Sequence, residues 1–412
     1  MKNEFKIIHI FDDDKFVDST TKLMESVYPN KSKYFVIQSS NEPFNYVTSE
    51  IAESVFLITE KDEEKFAKYI NDSEIEVVFF HALNPKKQRL TNLINDKIVK
   101  VWFVWGYDLY YNWPLLKNKV FQNETKKYFN IKVGLKNKII TNSFTFFLFK
   151  HQAFFKLILP NKVIDIINKS FNTTFYKTVK KIDIVVPVIP NEYKLIKKMN
   201  INPTLAPFNY VCLEDIIMSN NYETISKSRN ILVGNSGDPS NNHLDVFKKI
   251  RKYNLKDRKI IVPLSYGGSK DYVEYIIQMG KEYFKSNFVP LVNFLPLEEY
   301  NKLISGCGFI IFNHNRQQAV GNIIAFGFLG AKIFLNEKSL VYKYYNSLGI
   351  KVYGMSKLNE KGLETNLNSN AVEVNRNLYF EIYSKRAVQN KIKELLNIVN
   401  KEQSLKNKIN NN

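Results

Sequence analysis

Three short strings carry residue types suited to a phosphorylated ligand. Val233-Gly234-Asn235-Ser236-Gly237-Asp238-Pro239-Ser240-Asn241 stands where an apolar run ends and an amphipathic pattern begins. Its glycines permit close backbone approach. Asn235, Ser236 and Asp238, with free amides near a helix start, make it a candidate diphosphate loop. It is neither a Walker A loop, having no Gly-Lys-Ser/Thr ending, nor a G-x-G-x-x-G turn. Asn313-His314-Asn315-Arg316-Gln317-Gln318-Ala319-Val320-Gly321-Asn322 repeats the arrangement. Arg316 offers a planar fork for a phosphate, and Gln317 and Gln318 add neutral donors. Gly321 and Asn322 open a helix whose dipole favours an anion. Val262-Pro263-Leu264-Ser265-Tyr266-Gly267-Gly268 brings a ring, Tyr266, that can stack on a base. A capped turn, a solvated arginine or a glycine turn would explain any one string. Two anion-suited loops in one sheet are harder to dismiss.

The first half supplies groups for proton transfer. His9 closes an apolar run that leads into Asp12-Asp13-Asp14, and His81-Ala82-Leu83-Asn84-Pro85 follows another. Trp105-Gly106-Tyr107-Asp108 places one carboxylate at a strand end. A general base must reach an acceptor hydroxyl, and His9 and Asp108 are the first choices, with Asp12 to Asp14 and His81 next. Asp13, His81, Asn84 and Trp105 are the acceptor-side candidates. A lone histidine on a strand is more often structural. No Ser-His-Asp, Cys-His or metal-ligand arrangement is present in the sequence, so neither a metal nor a cofactor is expected.

These strings need strands to position them. In the first half, Phe5–Phe11, Tyr34–Ile37, Glu76–Phe80, Val99–Trp105 and Ile182–Val188 are short apolar runs ended by polar residues, as in buried parallel strands. In the second, Asn230–Gly234, Lys259–Pro263, Phe288–Val292, Gly308–Phe312 and Lys332–Leu335 alternate with helical patterns at Asn241–Arg251, Lys270–Phe284, Leu297–Ser305 and Gly321–Leu329. Alternation of this kind implies parallel sheets covered by helices, with ligands bound beyond the carboxyl ends of the strands. The expected domains are residues 1–210, a polar linker at 211–229, and residues 230–399. The asparagine-rich tail 400–412 reads as disordered.

A chain of 412 residues is long enough for two such domains. Its two cysteines, Cys212 and Cys307, argue against a disulfide framework, and its beginning lacks a signal-peptide pattern. These features suit a cytoplasmic protein. The net charge of +19 is concentrated: 14 lysines against Glu124 and Asp165 lie between Lys117 and Lys181. Phe144, Phe146, Phe147, Phe149, Phe154 and Phe155 are interleaved with them. Such a segment suits an anionic membrane surface, and its apolar runs are too short to span a bilayer. Nucleic-acid binding by the same patch is not expected.

The strings Ile231–Asp238, Val262-Pro263 with Tyr266, Arg316-Gln317-Gln318 with Gly321, and Leu335-Asn336 resemble the bacterial TDP-N-acetylfucosamine:lipid II N-acetylfucosaminyltransferases, glycosyltransferase family 56. In the first half His9, His81 with Asn84-Pro85, and Trp105-Gly106 with Asp108-Leu109-Tyr110 also fit. The chain departs at Asp12 and Asp13, where the family has Gly-Ser, at Ala319, where it usually has glycine, and at Phe103, where it has histidine. The resemblance implies an α/β, GT-B-like fold, two Rossmann-like domains with parallel sheets facing a central cleft. It implies transfer of a 4-acetamido-4,6-dideoxy-type hexose from a dTDP-sugar to a polyprenyl-diphosphate-linked saccharide, at the cytoplasmic face of the inner membrane. Donor contacts would fall to Asn235, Ser236, Asp238, Tyr266, Arg316, Gln317, Gln318, Gly321 and Asn322. The alternatives are a GT-B transferase with another donor or acceptor, and a non-catalytic basic module that binds membrane or nucleic acid.

Overall fold

The computed structural model describes residues 6–130, 140–217, 223–293, 299 and 304–410. The chain divides into two compact units. Residues 1–117, 133–212 and 385–412 form the first, and 118–132 with 213–384 form the second.

The first unit is built on seven strands: β1 Ile7–Asp12, β2 Ser32–Gln38, β3 Ala52–Phe56, β4 Val77–His81, β5 Val99–Val104, β6 Ile184–Pro187 and β7 Thr204–Leu205. Their order is β3-β2-β1-β4-β5-β6-β7, and every pairing is parallel. The order reverses between β1 and β4, which lie side by side with His9 opposite Phe79. Chain direction diverges there, so loops leave a crevice beyond those two strand ends. β1, β4 and β5 are buried almost throughout, as expected of strands covered on both faces. The pattern reading missed β3, an edge strand with no buried residue, and the two-residue β7.

The second unit holds β8 Asn230–Val233, β9 Ile260–Pro263, β10 Phe288–Leu291, β11 Cys307–Phe312, β12 Lys332–Leu335 and β13 Tyr353–Gly354. Their order, β10-β9-β8-β11-β12-β13, is again wholly parallel. Here the reversal falls between β8 and β11, the two strands that lead into the Gly234 and Asn313 loops. The helix Lys270–Phe284 has the expected bounds, while the one expected at 241–251 begins as a 3-10 turn and becomes α-helical only over His243–Ile250. Most of the helix expected at Leu297–Ser305 lies outside the described residues.

Three expectations of domain layout need correction. The tail is helical: Lys385–Asn410 is one helix, and Val388, Ile392, Leu395 and Val399 bury in the core of the first unit with Val99, Val101 and Ile184. Spacing of four, three and four residues gives one apolar stripe, which outweighs the asparagine-rich composition. Thus the first unit includes the chain's last helix, and the second ends at Ser384. Leu213–Ile216 and Glu223–Lys227, within the expected linker at 211–229, are short helices that belong to the second unit.

The basic segment is also divided. Residues 118–132 belong to the second unit, 131–139 (with Lys132, Lys136 and Lys138) are outside the described residues, and the remainder belongs to the first. In the helix Ser143–Lys150, Phe146 and Phe149 turn inward against Phe171 and Tyr176, so neither can enter a lipid interface as expected. Phe144 and Phe147, on the opposite side, are exposed. Lys126 and Lys127 lie on the short helix Asn123–Tyr128 of the second unit.

Candidate functional site

In the second unit the sequence strings become one network. The backbone turns at Gly234 with φ +72°, and a side chain there would strike His243 and Asn241. Asn241 organises the loop: its Oδ1 accepts from Asn235 N at 2.9 Å and from His314 Nε2 at 2.8 Å, while its Nδ2 donates to the carbonyls of Ser236 and Asp238. Asp238 Oδ1 accepts from Ser240 N at 2.7 Å, which fixes the 3-10 turn. The Tyr266 loop is stitched on by Gly237 N donating to Tyr266 O at 2.7 Å. Tyr266 keeps an exposed ring, with its hydroxyl accepting from Asn235 Nδ2 at 3.3 Å.

Arg316 closes the network from β11. Its Nε donates to Ser240 Oγ at 3.1 Å, its Nη1 to Gln317 O at 2.9 Å, and its Nη2 lies 3.8 Å from Asp238 Oδ2. Gln318 Nε2 donates to Asn235 Oδ1 at 3.0 Å. Gln317 is buried with its Oε1 unpartnered, and half a turn of the amide would present its N–H₂ there instead. Gly321 and Asn322 follow in the first turn of the helix Val320–Phe328, whose N-terminus has no side-chain cap. A side chain at Gly321 would meet no atom within 4 Å, so space is open beside the uncapped amides. Ala319, just before them, is left-handed at φ +59°, which accounts for the glycine usual in the resembling family. Asp238 departs from its expected role. It supports the loop and partly neutralises Arg316, and a carboxylate would repel a diphosphate.

In the first unit the expected residues gather at the ends of β1, β4 and β5, but burial changes their roles. His9 Nδ1 lies 3.0 Å from His81 Nε2, and His81 Nδ1 lies 2.9 Å from the Tyr210 hydroxyl. Trp105 Nε1 donates to that same hydroxyl. An indole can only donate, so Tyr210 turns its own proton to His81, and His81 donates onward to His9. Both imidazoles are fully buried, and burial holds His9 down to about 3 and His81 well below its usual range. They are neutral at physiological pH and reach no acceptor.

Asp108 is fully buried too. It accepts from Leu83 N at 2.9 Å, Trp102 Nε1 at 2.6 Å, Trp105 N at 3.0 Å and Leu109 N at 3.1 Å. Burial raises its pKa, opposed by the Trp102, Leu83 and Trp105 hydrogen bonds. With its oxygens occupied by the protein's own N–H groups, it fixes the two strand-end loops and is not placed as a base.

The three consecutive aspartates separate by partner. Asp12 accepts from Asn84 Nδ2 and the buried Lys87 Nζ, both at 2.7 Å. Asp13 pins a neighbouring loop, accepting from Asn45 N at 2.6 Å and Tyr46 N at 3.1 Å. Asp14 takes one bond, from Phe16 N at 3.0 Å, and remains partly accessible. Burial raises its pKa, with the Phe16 amide and Lys15 opposing. Sequence reasoning gave no role to Ser240, Asn241 and His314, although they stand inside the quoted strings, nor to Lys87, just after Asn84-Pro85, nor to Tyr210, which no quoted string includes. Among the described residues no cluster of three or more His, Cys, Asp or Glu could hold a metal ion.

Comparison with known proteins bears on the family and the fold. Residues 200–381 match the family described as 4-alpha-L-fucosyltransferase glycosyl transferase group 56. Over 97% of this chain and 99% of the other, the fold is similar to that of a glycosyltransferase from Rickettsia africae ESF-5, with TM-score 0.58 and 12% identity. Sucrose-phosphate synthase from Thermosynechococcus elongatus is similar over 96% and 99% of the two chains, with TM-score 0.58 and 8% identity. A UDP-forming trehalose-phosphate synthase from Burkholderia xenovorans is similar over 96% and 100%, with TM-score 0.57 and 6% identity. At these identities the likeness to solved structures speaks to the fold alone. Residues 200–381 are thus similar to glycosyltransferase group 56, and with the α/β, GT-B-like fold this supports a nucleotide-sugar-dependent glycosyltransferase.

Proposed function

We propose that this enzyme transfers a 4-acetamido-4,6-dideoxy-type hexose from a dTDP-sugar to a polyprenyl-diphosphate-linked saccharide. One observation carries the donor side: Arg316 is held beside the uncapped first turn at Gly321 and Asn322, where the two loops of the β8–β11 reversal are hydrogen-bonded together. In the transfer, an acceptor hydroxyl oxygen bonds to the anomeric carbon as that carbon's bond to the diphosphate breaks. Charge grows on the departing nucleoside diphosphate, so fixed donors aimed there contribute most to rate. Arg316, Gln317, Gln318, Asn235 and the Gly321–Asn322 amides supply them, with Tyr266 offering its ring to the base.

The acceptor's proton goes to a carboxylate in the first unit. Asp14 fits that role best, being accessible, lightly hydrogen-bonded and raised toward the operating range. His9, His81, Asp108 and Trp105 hold the strand ends in place around it.

A lipid-linked acceptor calls for a surface that meets anionic headgroups. Phe144, Phe154, Leu157 and Ile158 are 67%, 60%, 84% and 64% exposed, and exposed Lys150, Lys156, Lys162 and Lys169 lie among them. Apolar groups flanked by lysine favour an anionic bilayer. No helix among the described residues is long and apolar enough to cross a membrane. The deciding experiment offers a panel of nucleotide-sugars with and without a polyprenyl-linked saccharide and measures nucleoside diphosphate release. Acceptor-dependent release with dTDP-sugars supports the reading, and release only with other nucleotides or soluble glycans overturns it.

A further inference from the structure

Residues 118–130 come from the first half of the sequence yet are built into the second unit, against both loops assigned to the donor. Gln122 is the centre of that contact. Its backbone N donates to Asn242 Oδ1 at 2.8 Å, and its side-chain Nε2 donates to Asn313 Oδ1 at 2.7 Å and Asn313 O at 3.0 Å. Asn313 Nδ2 returns a bond to Gln122 Oε1 at 3.1 Å. Asn242, left-handed at φ +54°, ends the Gly234 loop, and Asn313 begins the Arg316 loop. Asn242 Nδ2 also donates to Asn313 O at 3.0 Å. One residue from a distant segment thus joins the two loops through a reciprocal amide pair. Nearby, Asn315 Nδ2 donates to Lys119 O at 2.7 Å.

The rest of the segment anchors away from these loops. Glu124 N and Thr125 N donate to the two oxygens of Asp245 at 2.9 and 3.1 Å, and Thr125 Oγ1 adds a bond at 2.9 Å. Tyr128 and Phe129 pack on Tyr275 and Tyr272. The anchoring would hold the segment without Gln122, so the glutamine's bonds are not needed for that: they brace the Asn242 and Asn313 ends of the loops, beside the direct bond from Asn242 Nδ2 to Asn313 O.

We propose that Gln122 is a positioning residue for donor binding, acting through Arg316 by fixing the Asn313 end of its loop against Asn242. This rests on the donor-site reading above. The test measures binding of thymidine diphosphate and uridine diphosphate to the full chain by calorimetry, with the thermal midpoint of each variant. Gln122→Met, which keeps length and removes the amide, should weaken binding about tenfold, since buried polar groups on Asn313 lose partners. Gln122→Glu should weaken it further by facing two carbonyl oxygens with a carboxylate. Thr125→Val, which loosens the anchor and spares the loops, should bind as the unaltered protein does. In an Arg316→Lys background, Gln122→Met should have little further effect, because its influence passes through the guanidinium.

Unaltered binding by Gln122→Met, or an equal loss in Thr125→Val, overturns the role of Gln122. A full additional loss in the Arg316→Lys background overturns it as well. If Gln122→Met lowers the thermal midpoint, the comparison of Gln122→Glu with Thr125→Val at matched midpoint decides. Failure of the unaltered chain to bind either nucleotide would instead remove the donor-site reading itself.

Discussion

Arg316 and Asp238 face each other at 3.8 Å across the two loops proposed to hold the donor, with Ser240 Oγ receiving Arg316 Nε between them. At 3.8 Å the pair is longer than a hydrogen bond, and the guanidinium is oriented by Ser240 Oγ and Gln317 O. A diphosphate oxygen would compete well for it. Arg316→Ala should therefore lose about 2–5 kcal/mol in kcat/KM for the donor. Arg316→Lys should recover only part, because a point charge cannot replace the fork. Steady-state kinetics with varied donor check this, and an alanine variant of unchanged kcat/KM removes Arg316 from the site.

Asp108 should behave as a structural residue. Its carboxylate holds four N–H donors, from the ends of β4 and β5 and the turn after β5, and an amide at that place would turn N–H₂ toward some of them. Hydrogen bonds to a charged group contribute roughly 1.5–3 kcal/mol each, so Asp108→Asn should lose on the order of 3 kcal/mol of stability. Denaturant unfolding measures it. Turnover per folded molecule should survive at reduced temperature; a large kcat defect in a fully stable variant would restore the base role.

For Asp14 the expectation is reversed. Asp14→Asn should lower kcat by roughly 100-fold or more while leaving nucleotide binding and stability nearly unchanged. Because the group must be ionised to accept a proton, the rate should fall as pH drops through its raised pKa. The acid limb of the pH–rate profile should thus lie above the usual aspartate range. A profile without that limb, or full turnover in the asparagine variant, excludes it.

Four of the five histidines are buried, and burial keeps them neutral: His9 and His243 down to about 3, His81 and His314 well below their usual range. Unfolded histidine binds a proton near pH 6.5, so below that pH the unfolded chain holds more protons than the folded one. Stability should be unaffected by these groups above about 6.5 and should fall as pH drops below it. Each contributes up to about 1.4 kcal/mol per pH unit. Thermal midpoints from pH 7 to 4.5 report this. His314→Gln should flatten the profile, and substitution of the exposed His151 should not.

For the membrane surface, reversing Lys150, Lys156, Lys162 and Lys169 to Glu should abolish sedimentation with anionic vesicles. Each lysine near such a surface adds about 1 kcal/mol of attraction, screened by salt. Phe154→Ser with Leu157→Ser should weaken it without altering the fold, since both side chains are exposed. Equal sedimentation with neutral and anionic vesicles would mean that these lysines are merely solvated.

Much of this protein follows from local pattern. Short apolar runs ended by polar residues gave both parallel sheets, because strands buried on two faces are apolar along most of their length. The Gly234 and Arg316 strings announced two strand-to-helix loops, because such a turn needs glycine, caps and free amides wherever it occurs. Other features depended on partners distant in sequence. The tail became a core helix because Val388, Ile392, Leu395 and Val399 find Val99 and Ile184 to bury against. Asp108 and His9 had the residue types of a base, but proton transfer needs access, and neighbours more than seventy residues away closed it for His9. Gln122 carried no sequence signal at all. Its role exists only because folding brings residue 122 beside residues 242 and 313, where an amide can both donate and accept. Local sequence fixes what each residue can do chemically; burial and long-range hydrogen bonding decide whether it can reach anything to do it to.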